Sequence, residues 1–312
     1  MKNILLPTDF SENAWNAASY AVELFKNETC TFYVLNTYTP HIAHSRFMAT
    51  NVSGDMMEDA ARTQSEAGLA NLISRMHTEF NNPQHKFTAV SSFSMLVDEV
   101  KAVIEEYAID LVITGTKGAS AIDEVFMGSN TVRIIKTVKK CPVLAVPQNF
   151  KFKTPDEVAF ATDFNRFYTQ SELKPLLDMA KTFNAVIRIV HVQQKITALT
   201  ELQKFNLSML RKYLKGVEHY VHTVSELNSI SKTLEIFSNE LDIHLLAMLH
   251  YQHSYMENLT RESVVKRIAF HTQIPLLVIP ELGMSGSSQS KKSRVFLHLS
   301  NTVSFKQEKV LF

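Results

Sequence analysis

The chain has 312 residues, 45% of them hydrophobic and 20% charged, with a formal net charge of +1 at pH 7. That length suggests about two domains, and the balance of residue types is an ordinary globular one. Near-neutral charge leaves no strong field to attract nucleic acid or an acidic membrane surface, and no apolar run approaches the ~20 residues of a membrane span.

The first element is the short apolar run Asn3 to Pro7, ending in Thr8-Asp9-Phe10. It is too brief for the ~7–15 residue apolar region of a secretory leader, so a cytoplasmic protein is expected. Alternating apolar runs and amphipathic stretches follow. Strands are predicted at 3–7, 30–37, 86–92, 110–114 and 143–146, and helices at about 12–26, 55–80, 95–107 and 129–139. A second series gives strands near 157–161, 185–192, 217–221, 242–248 and 276–279, with helices near 169–183, 196–213, 224–240 and 263–271. Repeated strand-helix alternation predicts parallel sheets with helices on both faces. Strands such as Val186-Ile187-Arg188-Ile189-Val190 have the apolar character expected of strands covered on both sides.

The two series open and close alike. Thr-Asp-Phe ends the first strand of each, at 8–10 and 162–164. Cys141-Pro142-Val143-Leu144-Ala145-Val146-Pro147 is matched by Ile274-Pro275-Leu276-Leu277-Val278-Ile279-Pro280. The fold class is therefore α/β: two tandem, open, twisted five-stranded parallel-sheet units, at 1–149 and 155–281. The join from Gln148 to Pro155 reads as short and polar. Residues 282–312 form a tail that begins as a flexible linker, Gly283-Met284-Ser285-Gly286-Ser287-Ser288. The irregular stretch from Tyr38 to Gly54 is long enough to suggest a functional or mobile loop.

The candidate chemistry lies after the fourth strand. Gly115-Thr116-Lys117-Gly118 is followed by nine residues and then Gly128-Ser129-Asn130, where a helix is predicted to begin. Glycines permit sharp turns and close backbone approach, and a helix N-terminus offers unpaired N–H groups to an anion. Ser129 could cap that helix or donate its hydroxyl to a phosphate. Asp9 follows the first strand at the same sheet edge, where open α/β sheets bind ligands. It could accept from a ribose hydroxyl or an adenine amino group. Ser11 is available to cap the next helix in its place.

Gly-x2-Gly-x9-Gly-Ser, with the opening Ile4-Leu5-Leu6-Pro7-Thr8-Asp9-Phe10-Ser11-Glu12-Asn13-Ala14 and the closing Cys-Pro-Val-Leu-Ala-Val-Pro, resembles the universal stress protein family. The resemblance covers roughly residues 1–280. It implies a Rossmann-like fold of the adenine nucleotide alpha hydrolase type and a stress-response regulatory role. It implies ATP, AMP or ADP as ligand, with Mg²⁺ as a candidate companion. Asp9 and Thr37 would contact the adenosine, and Gly115, Gly118, Gly128, Ser129 and Asn130 would hold ribose and phosphates. It also implies pairing of the two units through their last strands, with a homodimer as a further candidate. This chain departs from the family's His-Val at the end of strand two, having Asn36-Thr37.

In the second unit, alignment from the closing strands sets Met248, Tyr251 and Arg261 against Gly115, Gly118 and Gly128, with Glu262 against Ser129. Side chains would fill the cradle and a carboxylate would repel phosphate, so only the first unit is expected to bind ATP. Asp123 and Glu124 leave slow ATP hydrolysis as an alternative, although no Gly-Lys-Ser/Thr Walker pattern is present. A scaffold that nucleotide merely stabilises is the other alternative. His41, His44, His250 and His253 read as loop histidines, too few in each place to make a metal site. Cys30 and Cys141 stand in apolar runs and are expected to be buried, reduced thiols.

Overall fold

The computed structural model describes residues 1–38, 54–116, 128–250 and 273–281. The first half contains β1 (Lys2–Pro7), α1 (Glu12–Leu24), β2 (Cys30–Tyr38), α2 (Gly54–Phe80), β3 (His85–Phe93), α3 (Leu96–Glu106), β4 (Leu111–Gly115), α4 (Ser129–Thr137) and β5 (Val143–Val146). The second half contains β6 (Glu157–Ala161), α5 (Gln170–Phe183), β7 (Val186–Gln193), α6 (Glu201–Tyr213), β8 (His219–Ser225), α7 (Ile230–Glu240), β9 (Leu245–His250) and β10 (Leu276–Pro280). The predicted helix at 263–271 lies outside the described residues.

The ten strands form one sheet in the order β3-β2-β1-β4-β5-β10-β9-β6-β7-β8. Within each half the strands run parallel. Between the halves β5 and β10 run antiparallel, with Leu276 opposite Ala145, Leu277 opposite Leu144 and Val278 opposite Val143. Every residue of β5 and β10 is buried, as strands covered on both faces require.

Alternation along these strands feeds two cores. One face gathers Leu144, Val146, Leu277 and Ile279 with side chains of α1, α2, α5 and α6. The other gathers Val143, Leu276 and Val278 with those of α3, α4 and α7. Both cores therefore cross from one half into the other. Cys30 and Cys141 lie buried within them as free thiols. Burial pushes their titration up, to about 11 for Cys30 with help from Glu28, and to about 12 for Cys141 with help from Asp110.

Helix starts follow local capping chemistry. Ser11 caps α1 by accepting from the Ala14 N–H. Thr169 with Glu172 and Thr200 with Gln203 form capping boxes on α5 and α6. The box at Thr200 and the cap at Ser229 place the starts of α6 and α7 later than apolar spacing alone suggests. Residues 224 and 225 extend β8 instead.

The join between the halves is less polar than its sequence suggests. Phe150 and Phe152 pack on the α1–α5 core, with their rings 6.1 and 5.3 Å from that of Tyr20. Asn16 donates from its side-chain amide to the Pro147 and Phe150 carbonyls. Further along, Lys153 meets Asp242 at 2.9 Å.

Because the cores are shared, a cavity made in one half should be felt in the other. Leu277→Ala, in β10, is expected to cost about 2–5 kcal/mol. Trp15, the chain's single tryptophan, lies on α1 in the first half. Its fluorescence in a urea titration should report that loss as one transition shifted together with the far-UV circular dichroism. An unshifted tryptophan transition would mean that the halves unfold independently.

Candidate functional site

Strand order places the site. In the first half the chain moves outward through β2 and β3, then returns to β4 on the other side of β1. The reversal lies between β1 and β4, and open α/β sheets bind ligands outside the carboxyl ends of their strands at such a switch point. Asp9 leaves β1 there, and Gly115 is the last residue of β4.

The Thr-Asp-Phe repeat builds a turn that recurs in both halves. Thr8 N–H donates to the Leu35 carbonyl, and Thr162 N–H to that of Val190. The Thr8 and Thr162 hydroxyls accept from the N–H groups of Phe10 and Phe164. The carboxylates of Asp9 and Asp163 accept from Ser11 and Asn165 N–H at 3.1 and 3.0 Å. Phe10 and Phe164 both adopt left-handed backbone angles, φ 62° and 57°, a rare state for a bulky residue. With Ser11 supplying the cap of α1, Asp9 is exposed at the carboxyl end of β1.

Asn36 explains the departure at the end of strand two. Its side-chain amide donates to the Thr8 carbonyl at 2.8 Å. In the second half His191 Nδ1 lies 3.0 Å from the equivalent Thr162 carbonyl, to which a ring N–H must donate. Asparagine thus does the histidine's structural work, and Thr37, half-buried and paired with Ser92 of β3, keeps its register.

At the other wall, α4 is pinned to β4. The Thr131 hydroxyl donates to the Gly115 carbonyl at 2.7 Å, and Gly128 N–H donates to the Thr116 carbonyl. Gly128 is the N-cap residue and offers no side-chain acceptor; no acidic residue stands in the first turn. Ser129 is therefore the first helical residue, not the cap, and Ser129 and Asn130 are exposed. By contrast α3, which also lacks a side-chain cap, carries Asp98 and Glu99 in its first turn. Among the described residues no side chain caps the α4 end, and its partial positive charge suits an anion.

Gly115 has a packing reason. A Cβ there would come 2.4 Å from Asn13 Nδ2 and 2.7 Å from its Cγ. The buried Asn13 side chain rests on the end of β4, so α1 can approach only a glycine. Gly68 serves similarly, because a Cβ there would meet the Phe10 ring at 2.5 Å. Sequence reasoning missed Asn13, Asn36, Gly68 and Thr131. The Asn13–Gly115 pair has no local signature, since the two lie on elements far apart in the chain. Gly118, Lys117, Asp123, Glu124, His41, His44 and His253 lie outside the described residues, as does most of the stretch from Tyr38 to Gly54.

Sheet register corrects the alignment of the second half. Leu5 lies beside Val112 and Ala159 beside Leu246, which puts Leu249 at the place of Gly115. Met248 is one residue too early, because the two halves differ in length between this strand and the last. Leu249 is buried, so a side chain stands where the first half has none. Tyr251, Arg261 and Glu262 lie outside the described residues. His250 is the last residue of β9, half-buried, and not a loop histidine.

These features define a doubly wound α/β protein with a strand switch point between β1 and β4. A sequence model of the Universal stress protein family matches residues 1–147. That half of the chain belongs to the universal stress protein family. Two universal stress proteins of Methanocaldococcus jannaschii are 23% and 25% identical, each over 46% of this chain and over 81% and 94% of their own lengths. The structure of a universal stress protein from Archaeoglobus fulgidus has a TM-score of 0.62 at 18% identity and covers 89% of this chain and 96% of that one. A putative universal stress protein from Pseudomonas aeruginosa has a TM-score of 0.52 at 11% identity over 90% of this chain and 93% of that one. The fold of both halves is thus that of these proteins.

The Asn13–Gly115 contact yields a test. Gly115→Ala is expected to cost about 1–3 kcal/mol through overpacking. In an Asn13→Ala background the added cost should largely vanish, as a double-mutant cycle on thermal unfolding would show. Equal costs in both backgrounds would remove Asn13 as the reason for the glycine.

Proposed function

We propose that the first half binds an adenine nucleotide, ATP above all, in the crevice between Asp9 and the N-terminus of α4, and that the protein acts as a stress-response regulator through that occupancy. The observation that carries the reading is the opposition of two unlike groups across the switch point. A carboxylate stands on the β1 side, suited to ribose hydroxyls or the adenine amino group. A helix start with a glycine N-cap and no acidic residue in its first turn stands on the β4 side, suited to phosphate. Membership of residues 1–147 in the universal stress protein family supports the same ligand class.

In this reading Asp9 and Thr37 position the nucleoside. Gly118, Gly128, Ser129 and Asn130 receive the phosphates through backbone N–H groups and the serine hydroxyl. Gly115 contributes by letting α1 close against β4, and Mg²⁺ would accompany a triphosphate. The second half, with Leu249 at the glycine position, serves as a structural partner and not as a second site of the same kind. Binding, not turnover, is the activity assigned.

Calorimetric titration of nucleotide-stripped protein with ATP, AMP and ADP tests this. A single site per chain is expected. Asp9→Asn keeps the side-chain acceptor that holds the turn but removes the charge, and should weaken binding about tenfold or more with little change in melting temperature. Gly128→Val should abolish phosphate-dependent affinity while the fold remains intact. Absence of binding at millimolar nucleotide would leave the glycine loop as architecture and favour the scaffold alternative.

A further inference from the structure

Helix α6 carries two stripes. One is the buried face of Asn206 and Leu210, which packs into the second half. The other is Leu202, Phe205, Met209 and Lys212, whose spacings of three, four and three keep them on one side of a helix. Leu202 is 46% exposed and Phe205 53%, while Met209 is half-buried and Lys212 exposed. Phe167, itself 57% exposed, sets its ring 5.9 Å from that of Phe205 in an edge-to-face pair. Single exposed apolar residues are ordinary on a protein surface, but a contiguous group of large ones marks a place where something docks.

Charge selects the occupant. Glu201 precedes the stripe and Lys212 ends it. Glu201 meets Lys204 at 2.7 Å, but both side chains are exposed, and an exposed pair of this kind holds its members weakly. Lys212 makes no ion pair among the described residues. A helix face that is negative at one end, apolar in the middle and positive at the other end complements a second copy of itself laid antiparallel. One register serves both kinds of contact. Glu201 and Lys212 are centred between Asn206 and Leu207, and Phe205 and Met209 are centred on Leu207, so a single two-fold axis brings both pairs together.

From this juxtaposition we propose that two copies of the chain associate through α6, helix against helix and antiparallel. Phe205 lies on Met209 of the second copy, a sulfur–aromatic contact made twice. Leu202 and Phe167 widen the apolar patch, and Glu201 pairs with Lys212 of the second copy at each end. The patch is smaller than the core of an obligate dimer, so association is reversible. It lies wholly in the second half and does not depend on nucleotide in the first.

Sedimentation equilibrium of the intact chain, without nucleotide and from micromolar to submillimolar concentration, should show a monomer–dimer equilibrium. Phe205→Glu, at an exposed position, should weaken it about tenfold or more with unchanged far-UV circular dichroism. Glu201→Lys and Lys212→Glu should each weaken it, and the two together should recover most of the loss, which only this register explains. Should a charge variant not fold, oxidation of Phe205→Cys chains mixed with Met209→Cys chains gives an independent reading, since Cys30 and Cys141 are buried. A disulfide joining the two kinds of chain is expected. The proposal is overturned by a chain that stays monomeric throughout, which would leave the stripe to a different protein. It is equally overturned by a dimer indifferent to Phe205→Glu, by charge reversals that do not rescue each other, or by no cross-link in the mixture.

Discussion

The antiparallel pairing of β5 with β10 is the contact on which the rest of the molecule depends. Each half, taken alone, would end its parallel sheet in a strand whose residues are all apolar. Such an edge left in water is a template for aggregation. Pairing the two edges removes both hazards together and lets each core run into its neighbour. The join is drawn tight over α1 by Asn16 and the rings of Phe150 and Phe152, so the short connection also becomes part of the core.

The pairing has a geometric consequence for function. Because β5 and β10 run in opposite directions, the carboxyl ends of the first half's strands lie at the edge opposite those of the second half. The turns at Asp9 and Asp163 therefore lie at opposite edges of the sheet. A cavity between the halves, at the foot of β1, β4 and β5, lies at the other end of the same strands from Asp9. The switch-point loops of the first half and the surface it presents to the second half thus lie at opposite ends of the same strands.

Much of the fold could be read from the chain, because parallel α/β units write their pattern locally. Buried strands appear as continuous apolar runs, and the Thr-Asp-Phe and Pro-bounded ends mark where each half starts and stops. Failures came where the deciding contact is distant. The starts of α6 and α7 depend on capping side chains that outweigh apolar spacing. The polar look of the join concealed two phenylalanines whose partner, Tyr20, lies far back in the chain. Gly115 looked like a ligand-facing glycine, yet its immediate steric reason is Asn13. The misplacement of Met248 came from counting back from the last strand across a length difference that only the sheet register exposes.

The repeated turn shows why a shared motif need not mean a shared activity. In both halves Thr-Asp-Phe makes the same hydrogen bonds, and its phenylalanine holds the same unusual backbone angle. Those bonds fix how the first strand hands over to its helix, which every such unit needs whether or not it holds a ligand. What distinguishes the halves is the space around the turn. In the first half Phe10 is partly exposed and α1 begins soon after it, against Gly115. In the second half Phe164 is fully buried with its ring 4.9 Å from that of His191. There Tyr168 bonds to the Thr162 hydroxyl at 2.6 Å, α5 begins only at Gln170, and Leu249 fills the glycine position. The same turn thus borders an accessible rim in one half and packed side chains in the other. The scaffold is present twice, but among the described residues the side chains packed around the two aspartates differ.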